Sequence, residues 1–204
     1  MKYLIYTFIL FSFLACKDTR PKLLPEFGKP ADKLTKDFDL SGETAHPNAS
    51  RLMNEAFFWS ADEETAPFGN REGGEAAHSF GIWRAHYKSE SPVIFLRQLL
   101  NSWGVPYFDW NETDSLKIKA YIQTLPGNSA AQHILSQDNV IIGTAFSQFV
   151  LEGKTDTELQ AIANNAITRQ LLPVLINRYD EPYREQRATQ LNKMLAVVRQ
   201  MNKP

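Results

Sequence analysis

The feature that most constrains this chain is a spacing. Beyond Leu52 the apolar residues recur at three- and four-residue steps, in run after run, with turn residues between them. That period places side chains on one face of an α-helix, whereas a half-buried strand needs strict alternation. No two strand-like runs flank a two-residue hairpin turn, and no segment repeats at a fixed interval. The pattern predicts an all-α fold, a compact multi-helix domain of about seven or eight helices over residues 43–204.

Taken in order, Thr44-Ala45-His46-Pro47 opens a helix, since proline is tolerated where its missing N–H is not needed. Leu52, Met53, Ala56 and Phe57 share one face of it. A second helix is expected from about Gly73-Gly74-Glu75, with Ala77, Phe80 and Trp83 or Arg84 as its stripe. Ser91 caps a third, whose stripe is Val93, Leu96, Leu99, Leu100 and Trp103, and Gly104 stops it. The aromatic connector Val105 to Trp110 lays side chains onto the core. Thr113 or Asp114 caps the next helix, carrying Leu116, Ile118, Tyr121 and Ile122, and Pro126-Gly127-Asn128 ends it.

Ser129 to Leu135 reads as a short helix. Asp138 then caps another, with Ile141, Ala145 and Phe149 at four-residue steps and Gly153 as its stop. A strand at Val140-Ile141-Ile142 is the competing reading, outweighed by the longer helical period. Thr155 and Glu158 have capping-box spacing ahead of Leu159, Ile162, Ala163, Ala166 and Ile167. Pro173 should kink or restart that helix, because it cannot donate to the ladder. The last helix follows Asp180-Glu181-Pro182, with Tyr183, Leu191, Met194, Leu195, Val198 and Met201 as its apolar face.

The N-terminus has a different character. Lys2 precedes an apolar stretch, Tyr3 to Leu14, that is too short to span a bilayer and suits the core of a signal peptide. Phe13-Leu14-Ala15-Cys16 resembles the lipobox of bacterial lipoproteins, with Cys16 as the acylated residue; an ordinary secretory signal cut elsewhere is the alternative. Residues 1–15 are therefore expected to be removed and residues 16–42 to form a tether. The tether is charged, carries Pro21, Pro25 and Pro30, and would reach roughly 30 Å if flexible. Lys17 follows the cysteine, so the aspartate that retains enteric lipoproteins at the inner membrane is missing. Cys16-Lys17-Asp18 also resembles the short charged signals of surface lipoproteins in Bacteroidetes. These residues point to an outer-membrane lipoprotein on the periplasmic or surface face, held to the membrane by several acyl chains.

Composition narrows the chemistry. The full chain has 204 residues and a net charge of −1, which gives no electrostatic case for nucleic acid, since that would need a basic face to neutralise phosphates. Removing residues 1–15, which hold Lys2 and no acid, leaves 21 basic and 23 acidic side chains and a net charge of −2. The single cysteine rules out an internal disulfide framework and a cysteine-cluster zinc site.

One stretch departs from regular helix. Between Phe57-Phe58-Trp59 and Trp83-Arg84 lie the acids Asp62, Glu63 and Glu64, a Pro67-Phe68-Gly69-Asn70 turn, and Gly73-Gly74. Long loops between anchored elements are where small domains tend to carry function. The candidate loop residues are Asp62, Glu63, Glu64, Asn70, Glu75 and His78, with Trp59 and Trp83 as aromatic anchors. Adjacent carboxylates can raise one another's pKa and create a general acid, although such runs are more often simply solvated. Glu75-Ala76-Ala77-His78 has the spacing of a di-iron half-site, but no second such pair accompanies His46, His86 or His133. At least three of the four tryptophans are expected in the core.

Glu43-Thr44-Ala45-His46-Pro47, Phe57-Phe58-Trp59-Ser60 and Glu64-Thr65-Ala66-Pro67-Phe68-Gly69 resemble a family of bacterial proteins labelled YfeS-like. Trp83-Arg84 and Ser102-Trp103-Gly104 fit the same pattern. The resemblance covers Glu43 to Trp110, with a weaker echo in the C-terminal helices, and Arg71 breaks the acidic run that the family carries after its Phe-Gly. It implies that Glu43 to Met201 is one module, and it implies no activity and no catalytic residue. No complete catalytic motif is present, and no cofactor or metal is expected. The favoured function is a non-enzymatic helical binding module with a protein or small-molecule partner. The alternative is a metal-assisted or acid–base hydrolase using Asp62 to Glu64 with Glu75 and His78.

Overall fold

A helix with no exposed face along much of its length organises this domain. In the computed structural model, which describes residues 41–203, every residue from Val140 to Val150 is buried. These belong to a 24-residue helix, Ser129–Glu152, and a helix apolar on all sides must be surrounded by others. The signal peptide, Cys16 and the tether up to residue 40 lie outside the described residues.

In chain order the α-helices are α1 (Pro47–Leu52), α2 (Arg71–His86), α3 (Pro92–Ser102), α4 (Ser115–Ile122), α5 (Ser129–Glu152), α6 (Thr157–Gln170), α7 (Pro173–Ile176) and α8 (Tyr183–Val198). A 3-10 turn, Ala56–Trp59, precedes α2. Among the described residues there are eight α-helices and no strand, so the fold is all-α, as the period of the sequence requires. Helix α5 is the axle: α2 and α6 make the most extensive contacts with it, α3, α1 and α4 make smaller ones, and α8 packs on α6.

The α2–α5 crossing depends on missing side chains. A Cβ added to Gly143 would stand 2.4 Å from the Gly73 carbonyl oxygen and 2.7 Å from its Cα. The two backbones touch there, which only glycine allows. Gly73 therefore serves a helix crossing, while Gly74 lies against the Phe68 carbonyl.

Several helix ends match the sequence. The Ser91 hydroxyl accepts from Val93 N, Asp114 caps α4 through Leu116 N and Lys117 N, and His46 caps α1 ahead of Pro47. Pro173 restarts the chain as α7. Gly153 ends α5 in the left-handed conformation at φ +66°.

Others differ for local reasons. Helix α1 stops at Leu52, because the Met53 carbonyl is taken by the Trp59 indole N–H at 2.7 Å and Ala56 to Trp59 turn separately. Helix α2 begins at Arg71, two residues early, because the Asn70 side chain accepts from Gly73 N at 2.7 Å. Asp156, not Thr155, caps α6, accepting from Glu158 N and Leu159 N. Thr155 is buried and donates its N–H to Asn202. Helix α4 ends at Ile122, ahead of the Pro126-Gly127-Asn128 stop.

The largest correction concerns Asp138. It caps nothing; the two helices expected around it are one, α5, and Asp138 sits inside it fully buried. Arg169 of α6, also fully buried, reaches it through Nη2 at 2.5 Å and Nε at 3.2 Å. With its charge matched by an arginine, an aspartate need not break a helix.

Of the tryptophans, Trp83 and Trp110 are buried, while Trp59 and Trp103 are half-buried against the same core. A smaller cluster of Phe108, Ile118, Ala131, Ile134 and Leu175 joins α4 and α7 to the N-terminal half of α5. Ser41 and Gly42 are already part of the folded unit, since Ser50 donates its hydroxyl to the Gly42 carbonyl at 2.9 Å.

Candidate functional site

The acidic loop is held from both ends and from beneath. Trp59 is fixed by its bond to the Met53 carbonyl, and Trp83 packs among Phe80, Phe95 and Tyr87. Thr65, Ala66, Pro67 and Phe68 are all buried, so the loop's second half is a plug in the core. The turn closes on itself through Ala66 N to Glu63 O, at 2.7 Å.

Its carboxylates do not point together. Glu63 accepts from Gln190 Nε2 at 2.9 Å and lies at 3.4 Å from Gln186 Nε2, while Glu64 accepts from the Tyr183 hydroxyl at 2.9 Å. All three donors stand on α8, so the loop is strapped to that helix. Asp62 is exposed, its backbone N–H bonded to Ser60. Asn70 caps α2, with its amide donating to the Glu64 and Ala66 carbonyls. Glu75 and His78 are exposed on α2, where Glu75 lies 3.4 Å from Arg71. Among the described residues no three His, Cys, Asp or Glu side chains gather closely enough to hold a metal ion. Glu63 and Glu64 are thus engaged with α8 and Glu75 with Arg71.

Sequence reasoning missed the residue under the strap, Arg187. It is 3% exposed and donates to Thr65 Oγ1 at 3.3 Å and Gln170 Oε1 at 2.7 Å, with its guanidinium 4.5 Å from the Tyr179 ring centre. No described carboxylate comes within ion-pair distance of it. Burial raises the Tyr179 phenol above its ordinary pKa, with Glu64 adding to the rise and Arg187 opposing it. The available signal was position: Arg187 stands four residues before Leu191 and so falls on the apolar face of α8.

The second missed group is Asp138 with Arg169. Burial pushes the Asp138 carboxyl up to about 6, against the pull of the Arg169 guanidinium. Arg169 Nη1 also donates to the Glu112 carbonyl at 2.7 Å, tying the aromatic connector to α6. This constellation is sealed from solvent and serves architecture.

An open cleft of about 490 Å³ lies elsewhere, where the turn between α2 and α3 faces the turn between α5 and α6. Arg84, Lys88, Lys154, Gln148 and Thr157 line it. Arg84 organises one wall, donating to the carbonyls of Tyr87, Lys88 and Glu90 and standing 2.8 Å from Glu152. Gln148 organises the other, bonding Glu152 and accepting from Asp156 N. Lys88 and Lys154 are exposed at its mouth. A smaller hollow of about 300 Å³ brings Glu72 and Glu75 beside Trp103 and Val105.

No protein-family profile, no curated protein and no solved structure matches this chain. No helix among the described residues is long and apolar enough to cross a membrane.

Proposed function

We propose that this chain is a lipid-anchored protein of the bacterial envelope whose helical domain is a non-enzymatic binding module. In this reading Cys16 carries the acyl chains and tethers the domain to the outer membrane. The polar cleft between the α2–α3 and α5–α6 turns receives the partner. One observation supports binding over hydrolysis: Glu63 and Glu64 are hydrogen-bonded to α8 while Glu75 lies beside Arg71, so three of the four candidate acids are held in separate structural contacts and Asp62 stands alone at the surface. A general acid needs a carboxyl free to reach the reacting atom. The cleft supplies the complementary property, since its inner polar groups fix its shape and its exposed lysines and hydroxyls are left to contact a ligand. The YfeS-like resemblance supports reading the domain as one module and adds no activity to it.

The test uses the full chain in its native envelope. A photo-crosslinking residue at Lys88 or Lys154 should give a discrete adduct that the same residue at Lys119, on α4, does not. Labelling with a fatty-acid analogue should tag the wild type and not Cys16→Ser. Equal adducts at all three positions would overturn the cleft, and equal labelling would overturn the anchor.

A further inference from the structure

We draw no further inference here: the strongest candidate, an anionic ligand for the cleft between the α2–α3 and α5–α6 turns, rests only on the N-termini of α3 and α6 and on exposed lysines, the buried Gln148 and Thr155 on its walls being already partnered within the protein.

Discussion

Two places in this domain hold acids and a buried arginine in one neighbourhood, and only one of them pairs the charges. In the core, Asp138 and Arg169 meet directly, both fully buried, with the guanidinium also bonded to backbone carbonyls. Under the acidic loop, Glu63 and Glu64 accept from two amides and a phenol, while buried Arg187 donates to a hydroxyl and an amide. The first arrangement is a matched pair in a dry interior, costly to break from one side only. The second divides its charges among neutral partners, and each such bond contributes about 1.5 kcal/mol net, the low end for a bond to a charged group. The core pair therefore fixes how α5 sits against α6, and the loop is fastened by many small contacts.

The sharpest way to break this comparison is to remove one member of the core pair. Asp138→Asn or Arg169→Met should each destabilise the domain by about 3–5 kcal/mol in urea unfolding, because a buried charge is left unmatched. The double change Asp138→Leu with Arg169→Met should recover a large part of that loss. If the double variant is as unstable as the singles, the pair is not the source of the effect.

The same pair should mark the pH dependence. The Asp138 carboxyl is raised in the folded state from 3.8 to about 6. As pH rises, the unfolded chain releases this proton first, so the group removes stability between about pH 4 and pH 6 and adds a constant penalty above that. Wild type should lose stability relative to the double variant across that window and run parallel to it from pH 7 to 8. No loss in that window, with a gain on rising from about pH 2 to pH 4 instead, would show that the folded carboxyl is lowered.

A smaller loss is expected at the helix crossing. Gly143→Ala gains helix propensity of at most about 1 kcal/mol. It also drives a methyl group into the Gly73 backbone, and overpacking of that kind costs about 1–3 kcal/mol or more. The clash wins, because the obstacle is backbone and not a side chain that can rotate away. A melting temperature at or above wild type would mean that α2 can retreat freely. The smallest effect belongs to Glu75→Gln and His78→Gln, both exposed, which should each change stability by less than about 0.5 kcal/mol.

Much of the architecture was legible because apolar period and caps are local properties. Ser91, Asp114 and Pro173 did what their chemistry dictates, and the all-helical class followed from spacing alone. What was not legible depended on partners far away in the chain. Asp138 looks like a cap until Arg169, 31 residues on, matches its charge. Gly73 looks like a residue of a helix start until Gly143, 70 residues on, arrives against it. Glu63 and Glu64 look like unpaired surface acids until α8, more than 100 residues later, supplies their donors. A charged residue in phase with an apolar stripe, as at Asp138, Arg169 and Arg187, is the signal in the sequence that pointed to these contacts.

The central claim is that Glu63 straps the acidic loop to α8, and a double-mutant cycle between Glu63 and Gln190 tests it most directly. Urea unfolding of Glu63→Ala, Gln190→Ala and the double variant isolates the energy of the bond between loop and helix. The strap predicts a favourable coupling of about 1.5 kcal/mol, the low end for a net intramolecular hydrogen bond to a charged group. A coupling indistinguishable from zero would contradict it, leaving the Glu63 carboxylate free to act on a ligand.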